Sequence, residues 1–224
     1  MTLVFGRLAQ MTQMALCCLC LLAAHAWAGE AGAERPDIPS SVQAEFSHAR
    51  LAGSGSFRWF GLKIYDASLW VTDAGYRDDS PDKNKFALEL QYARALVGAK
   101  IAKASYEEIV RLKLGSEDNR QKWLAQMNRL FPDVREGDRI TGIYLPGQGA
   151  RFYLNGKALG EIADAEFAHA FFAIWLDKNT SAQALRSKLL SQAAPISPTS
   201  SLKLAFPAPA AITATAYATR VRTP

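Results

Sequence analysis

The sequence predicts an α+β fold in which an antiparallel sheet carries a helical layer on one face. Two observations support this prediction. Apolar residues alternate with a period of two in two separate groups of segments, and with a period near 3.6 in the segments that follow each group. Turn residues join the first two strands of the first group and the strands of the second group, which favours antiparallel neighbours. The predicted order is three strands, two helices, three strands and two helices.

The first group contains strands over residues 44–51, 57–71 and 86–92. The small residues 53–55 (Gly-Ser-Gly) suit a tight turn between the first two strands. The second strand is apolar on both faces from 64 to 71, which is typical of a central strand. The third strand alternates between apolar and other residues, which predicts one buried face and one wet face.

Helices should fill the segment that follows. Ser105 and Glu108 have the spacing of a capping box, which predicts a helix that continues to about residue 114, although Gly98 is an earlier possible start. A second helix is predicted over 117–131, where apolar residues form one stripe and Pro132 ends the helix.

The second strand group lies at 139–145 and 150–154, joined by Pro146 to Gly149. Asn155-Gly156 then provides the strongest hairpin signal in the chain, and a third strand follows it. Two helices complete the domain, one capped by Asp164 and the other by Thr180 with Gln183.

The chain is predicted to have four regions. Residues 1–28 resemble a secretory signal peptide, with a basic residue at Arg7, a short apolar run and an Ala-x-Ala cleavage site ending at Ala28. Residues 29–41 read as a linker and 42–191 as one globular domain. Residues 192–224 are rich in Pro, Ala, Ser and Thr, which predicts a disordered tail. We therefore expect a periplasmic or secreted protein with no transmembrane segment after cleavage; an uncleaved anchor is the alternative.

Composition excludes several classes of site. All three cysteines lie in residues 1–28, so the predicted mature chain has no thiol nucleophile or thiolate ligand, and only His48 and His169 remain as imidazoles. We therefore expect no metal centre, no cofactor and no conventional catalytic triad. The 26 Lys and Arg residues outnumber the 21 Asp and Glu residues, but the excess lies largely in the two termini. The nearly neutral domain favours no nucleic-acid partner.

Several strings in residues 42–191 resemble, in order and spacing, those of the bacterial chalcone isomerase-like family. They are Lys63 to Ala67 with Leu69 to Val71; Leu130 to Val134 with Gly137 and Asp138; Phe152 with Asn155, Gly156, Leu159 and Gly160; and Phe167, Phe171, Phe172 and Ile174 to Asp177. The resemblance implies an open-faced β-sandwich with a cleft between sheet and helices. It also implies two known activities, closure of a chalcone ring and non-catalytic binding of fatty acids, and fold alone does not choose between them.

The enzymes of the family that close a chalcone ring use an arginine, a threonine, a tyrosine and an asparagine. The resemblance allows each of these positions to be compared with this chain. The positions of their tyrosine and asparagine fall on Ile101 and Glu108, and that of their threonine falls on Tyr65. Their arginine position falls near Phe57, with Arg58 as its neighbour. An apolar isoleucine cannot donate a hydrogen bond to a developing oxyanion, so the pattern favours loss of catalysis.

A site for an apolar acid needs a cation, hydroxyl donors and an apolar lining. We predict a ligand head-group site formed by Arg58, Lys63, Tyr65, Tyr92 and Arg94. The predicted lining is Phe57, Leu69, Phe171 and Trp175. Lys63 should share a strand face with Tyr65, and Arg94 a face with Tyr92, whereas Arg58 reaches the cleft only if a bulge intervenes. Ordinary strand packing is the alternative role for both tyrosines, and a solvated edge position is the alternative for Arg58.

These observations lead to three hypotheses. The first is a non-catalytic binding protein that holds an amphipathic ligand, such as a fatty acid, in the cleft. The second is an isomerase (intramolecular lyase) that acts on a small apolar substrate through a rearranged set of residues around Arg58 and Tyr65. The third is an envelope assembly or interaction protein whose cleft is filled by its own side chains. The sequence does not indicate an oligomeric state.

Overall fold

The computed structural model describes residues 37–46 and 48–196. The predicted signal peptide, most of the predicted linker and residues 197–224 of the predicted tail lie outside this part, so those assignments stay predictions. Within it, no helix is both long and apolar enough to cross a bilayer. Residues at the start of the predicted tail bond to the domain, since the Gln192 N–H donates to the Ala52 carbonyl and the Ile196 N–H to the Asp73 carbonyl.

The described residues form six strands and five helices. The strands are β1 (Arg50–Trp59), β2 (Leu62–Val71), β3 (Phe86–Tyr92), β4 (Arg139–Leu145), β5 (Gly149–Leu154) and β6 (Lys157–Ile162). The helices are α1 (Ser40–Glu45), α2 (Gly98–Arg111), α3 (Glu117–Leu130), α4 (Ala165–Leu176) and α5 (Gln183–Leu189). The strands pair in sequence order and every pair is antiparallel. The predicted α+β class is confirmed.

Helices α2 to α5 cover one face of the sheet and enclose the main core. Alternate residues of β2, namely Ala67, Leu69 and Val71, are fully buried in it. Rings from α4 complete it, with Phe167 stacked on Phe171 at 5.5 Å between centroids. Because burial of apolar surface is the main favourable term in folding, this layer contributes most of the domain's stability.

The other face is covered at one end by α1, which the sequence did not predict. Val42 and Phe46 pack there on Trp70, Ala87 and Ile143. The prediction that β3 has a wet face is therefore wrong, since all of its residues except Gln91 are buried. Helix formation over Ser40–Glu45 also shortens the strand predicted at 44–51, of whose described residues only Arg50 and Leu51 lie in a strand, β1.

The turn predicted at residues 53–55 is wrong, because β1 runs through it. A Cβ atom on Gly53 would lie 2.0 Å from the Lys188 carbonyl oxygen, and one on Gly55 would lie 2.9 Å from the Lys188 side chain. These glycines therefore let the end of α5 approach the strand closely, instead of turning the chain. The turn lies at Phe60-Gly61, between β1 and β2.

The predicted helix starts at Glu117 and after Asp164 are confirmed, and those at Ser105 and Thr180 are corrected. Helix α2 begins at Gly98, the earlier of its two predicted starts. Ser105 lies inside it, where its hydroxyl donates to the Ile101 carbonyl at 2.9 Å. Helix α5 begins at Gln183, after a turn in which the Thr180 hydroxyl accepts from the Ala182 N–H. The Asp164 carboxylate accepts from the Phe167 N–H at 3.0 Å, which is the predicted cap of α4.

Candidate functional site

The structure brings Tyr65 and Tyr92 together as cross-strand partners on β2 and β3. Their rings meet edge to face, with centroids 6.1 Å apart, and Phe57 stacks on Tyr65 at 5.1 Å. The Trp175 indole N–H donates to the Tyr65 hydroxyl at 3.0 Å. The predicted lining residues Phe57 and Trp175 therefore contact the tyrosine itself, and this end of the cleft is filled by packed side chains.

Burial raises the pKa of both tyrosines well above the ordinary range. The hydrogen bond from Trp175 opposes this increase at Tyr65, and the negative charge of Glu108 adds to it. Both side chains are consequently neutral phenols at physiological pH, and neither supplies a phenolate for base catalysis.

Arg58 and Lys63 lie on the face of the sheet opposite Tyr65. Phe57 pairs with Tyr65, but Arg58 pairs with Lys63, so Ile64 is an extra residue in β2. This bulge reverses the alternation, and the Lys63 ammonium contacts Asp66. The prediction that Lys63 shares a face with Tyr65 is wrong for that reason. Arg58 is exposed, and its guanidinium donates to the Gly61 carbonyl at 3.1 Å.

Arg94 lies beyond the end of β3, in a bend, so the alternation expected from Tyr92 does not continue to it. Its side chain is half-buried and forms no hydrogen bond or ion pair within the part of the chain that the structure describes. The five predicted head-group residues therefore do not form one site. Tyr65 and Tyr92 meet on one face of the sheet, Arg58 and Lys63 pair on the other, and Arg94 lies beyond β3.

The positions compared with the enzymes' tyrosine and asparagine have structural roles. Ile101 packs against the main core. The Glu108 carboxylate accepts from Arg111 at 2.6 Å and from the Ser181 N–H at 3.0 Å. Partial burial would raise the pKa of Glu108, but these hydrogen bonds outweigh it and hold the pKa below its ordinary value. Glu108 is therefore a charged group that joins α2 to the loop before α5.

A pocket of about 180 Å³ lies at the other end of the sheet, between β3, β4 and helices α4 and α5. Its floor is aromatic, because the rings of Phe86 and Tyr144 stack at 4.8 Å and Phe172 meets both rings edge to face. Phe86 and Tyr92 are six positions apart on β3, so about 20 Å of strand separates this pocket from Tyr65.

Polar groups form one side of the rim around Asp82, in the loop between β2 and β3. The Asp82 carboxylate lies 2.9 Å from the Tyr144 hydroxyl and 2.8 Å from His169 Nδ1. Burial raises the pKa of Tyr144, and the hydrogen bond to Asp82 adds to the increase. The Asp82 contact fixes the imidazole orientation and directs the hydrogen of a neutral His169 to Nδ1, which leaves Nε2 as an acceptor.

Arg186 on α5 lies on the other side of the rim, where Asp177 and Lys178 also line the pocket. Its Nε donates to the Leu176 carbonyl at 2.8 Å, and Nη2 contacts both carboxylate oxygens of Asp78 at 2.6 Å. The Arg186 side chain is only 16% exposed, whereas that of Asp78 is 61% exposed. The guanidinium is thus fixed by the fold, and its carboxylate partner lies on the surface.

Tyr76 also lines the pocket, beside the aromatic floor. Its ring meets Phe86 edge to face at 5.5 Å, and its hydroxyl forms no hydrogen bond within residues 37–46 and 48–196. Burial raises the pKa of Tyr76, and the charge of Asp78 raises it further. The hydroxyl is therefore a protonated donor that is available to a ligand.

Sequence reasoning missed this pocket, although two signals were present. Residues 72–85 form a long connection between strands, and such connections often carry function. His169, Phe172, Ala173 and Leu176 share one helical face on α4, which places an imidazole among apolar residues. Among the described residues, no group of three or more His, Cys, Asp or Glu side chains is arranged to hold a metal ion.

Known sequences match most of this chain. The sequence model of a family described as chalcone isomerase-like matches residues 32–191. A Haemophilus influenzae protein, described only as uncharacterized, is 31% identical over 149 residues, which are 66% of this chain and 71% of that protein.

The fold also resembles a solved structure. The crystal structure of an Arabidopsis thaliana fatty-acid binding protein superposes with a TM-score of 0.54, covering 67% of this chain and 91% of the plant chain. The two sequences are 15% identical. At this identity the likeness establishes a shared fold, not a shared ligand.

Proposed function

We propose that this protein, which belongs to the chalcone isomerase-like family, is a non-catalytic binding protein that holds a small amphipathic acid in the pocket at Tyr76 and Arg186. The observation that carries the proposal is the combination of an aromatic floor with a fixed cation at the rim. Apolar walls with a few convergent polar groups are the usual composition of a small-molecule site.

The polar end of the ligand is assigned to Arg186. Its guanidinium already contacts a carboxylate, that of Asp78, through both oxygens. Because Asp78 is largely exposed, a ligand carboxylate can replace it at small cost in free energy. The free hydroxyl of Tyr76 then offers a second hydrogen bond to the same carboxylate.

The pocket limits the size of the ligand. Its volume of about 180 Å³ is below the roughly 300–1,000 Å³ of pockets that enclose drug-sized molecules. A short acyl chain or a single aromatic ring is the proposed apolar part. The plant fatty-acid binding protein supports the general class of ligand, an acid with an apolar body.

The non-catalytic part of the proposal rests on the other end of the cleft. Ile101 and Glu108 occupy the compared catalytic positions, and Glu108 is held by Arg111. The packing around Tyr65 is what the interaction-protein hypothesis predicts for a filled cleft. The open pocket at Tyr76 favours binding over that hypothesis, because it leaves donors facing an apolar floor.

Calorimetry with hexanoate, together with native mass spectrometry of protein purified from cells, tests this function. Ala173→Leu places three additional carbon atoms in the pocket and should weaken hexanoate binding at least about tenfold. Ala104→Leu, on an exposed face of α2, is the matched control and should bind as the wild type does. Equal affinity in both variants, or loss only in Tyr65→Phe, would show that the ligand does not occupy this pocket.

Export remains part of the proposal and has its own test. The Ala-x-Ala site predicts that the mature chain begins at Gly29 and functions in the periplasm or outside the cell. The intact mass of the protein from fractionated cells should correspond to that start. A chain that begins at Met1 and stays in the cytoplasmic fraction would refute export without affecting the binding proposal.

A further inference from the structure

The β1–β2 hairpin ends in a cluster of exposed apolar side chains. Trp59 is 60% exposed, Phe60 89% and Leu62 54%, and these are three of the six large apolar residues exposed in the described part of the chain. All three lie within four consecutive positions, with Gly61 between the last two. We call this segment, residues 59–62, the hairpin tip.

Turn geometry does not require the phenylalanine. Phe60 and Gly61 have φ angles of 46° and 79°, and Asn155 and Gly156, in the other two-residue hairpin, have 50° and 79°. Such turns favour Asn-Gly, because asparagine tolerates the left-handed region and a bulky side chain does not. The same protein therefore uses the favourable residue in one turn and an unfavourable, water-exposed aromatic in the other. Strain of this kind points to a role for the Phe60 side chain.

The hairpin tip is amphipathic across its two faces. Trp59 and Leu62 are cross-strand partners and share one face, and Arg58 and Lys63, one step back, are partners on the other face. The Arg58 guanidinium bonds to the Gly61 carbonyl, which holds this cation at the base of the tip. The Asp66 carboxylate contacts the Lys63 ammonium and neutralises one of the two positive charges. The charge of Arg58 leaves this face with a net positive charge.

We infer that the hairpin tip inserts into the surface of a lipid bilayer that contains anionic lipids. Tryptophan and phenylalanine bury their rings at the boundary between head groups and acyl chains, while flanking arginine and lysine contact anionic head groups. A second protein fits less well, because four residues at the end of a hairpin offer far less than the roughly 1,200–2,000 Å² of a stable protein interface.

The hairpin tip and the pocket lie at opposite ends of the sheet. The hairpin tip lies at the Tyr65 end of the sheet, since Tyr65 follows Lys63 by two positions. The pocket lies at the Phe86 end, about 20 Å of strand away. The protein can thus bind vesicles without binding hexanoate, and it can bind hexanoate without binding vesicles.

Co-sedimentation with vesicles tests the inference on the cell-purified full chain. The wild type should sediment with vesicles of phosphatidylcholine and phosphatidylglycerol at 3:1, and more weakly with phosphatidylcholine alone. Phe60→Asn should lower the partition coefficient about tenfold or more while the protein stays folded. Val110→Ser, which removes an exposed apolar side chain on α2, should leave it unchanged.

The Arg58→Gln, Lys63→Gln double variant should reduce the preference for anionic vesicles and retain weak binding to neutral ones. A wild type that stays in the supernatant with both vesicle types would overturn the inference. Equal sedimentation of Phe60→Asn and the wild type would also overturn the inference. The same holds if the only effect of Phe60→Asn is on the oligomeric state measured by ultracentrifugation.

Discussion

Replacing Phe60 with asparagine should stabilise the folded protein, although it removes an aromatic residue. Phe60 has a φ of 46° and is 89% exposed, so the folded state gains little from burial of its ring. Asparagine accepts this backbone conformation more readily because its short side chain bonds locally. Gly61 already occupies the second turn position with the φ that it favours, so the variant creates the Asn-Gly pair typical of such hairpins.

Two contributions of opposite sign set the change in the free energy of unfolding. A bulky residue in the left-handed region costs about 1–2 kcal/mol, most of which the asparagine recovers. The Phe60 ring meets Trp59 edge to face at 5.1 Å, and loss of this exposed contact costs about 0.5 kcal/mol. The net gain in the free energy of unfolding is about 0.5–1 kcal/mol. For a domain of this size, that gain raises the melting temperature by about 1–4 °C.

Urea unfolding and differential scanning calorimetry of Phe60→Asn and Asn155→Phe form a reciprocal test. Asn155→Phe should destabilise the protein by about 2–3 kcal/mol, because it adds the same strain and removes the hydrogen bonds of Asn155 to Asp138 and to the Arg139 N–H. A decrease of more than about 0.5 kcal/mol in the free energy of unfolding of Phe60→Asn would refute strain at Phe60. That result would mean that the Phe60 ring packs on the folded protein.

Two further predictions concern stability. Gly53→Ala should destabilise the protein by about 1–3 kcal/mol, because its Cβ would lie 2.0 Å from the Lys188 carbonyl oxygen; urea unfolding measures this, and Ser54→Ala is the exposed control. Partial burial would raise the pKa of Glu45, but hydrogen bonds, led by that from Arg151, hold it below the ordinary value. The charged form therefore stabilises the folded state above about pH 4.5, and this contribution is lost as the pH falls through the lowered pKa. Glu45→Gln should cost about 1–3 kcal/mol at pH 7 and reduce the loss of stability measured between pH 7 and pH 4; an identical pH dependence would contradict this role.

Much of the fold could be predicted because local patterns and tertiary packing agree. The alternation in 86–92 and the Asn155-Gly156 turn each specify one local structure, and both occur where expected. The prediction failed at Gly53, where glycine serves close approach of α5 instead of a turn. Phe60-Gly61 carries no ordinary turn signal in its first residue, so the real hairpin was not visible in the sequence.

The candidate site was less predictable, because it depends on which face each side chain occupies. One extra residue, Ile64, reverses the direction of Lys63, and periodicity gives no sign of the bulge. Tyr65 and Tyr92 were both predicted for the site, but their pairing depends on the register that β2 and β3 adopt across residues 72–85. The contact between Asp82 and His169 joins residues 87 positions apart. Contacts at such sequence separation follow from the packing of α4 on the sheet.

The sequence by itself determined the α+β class, the order of the main strands and helices, and the family resemblance. Each of these follows from residue type and local period. The tertiary structure alone decided that the Tyr65 end of the cleft is packed, that a pocket opens beside Arg186, and that Trp59 and Phe60 extend into solvent. Exposure and cavity shape depend on all the elements that pack around a residue, and no local pattern carries that information.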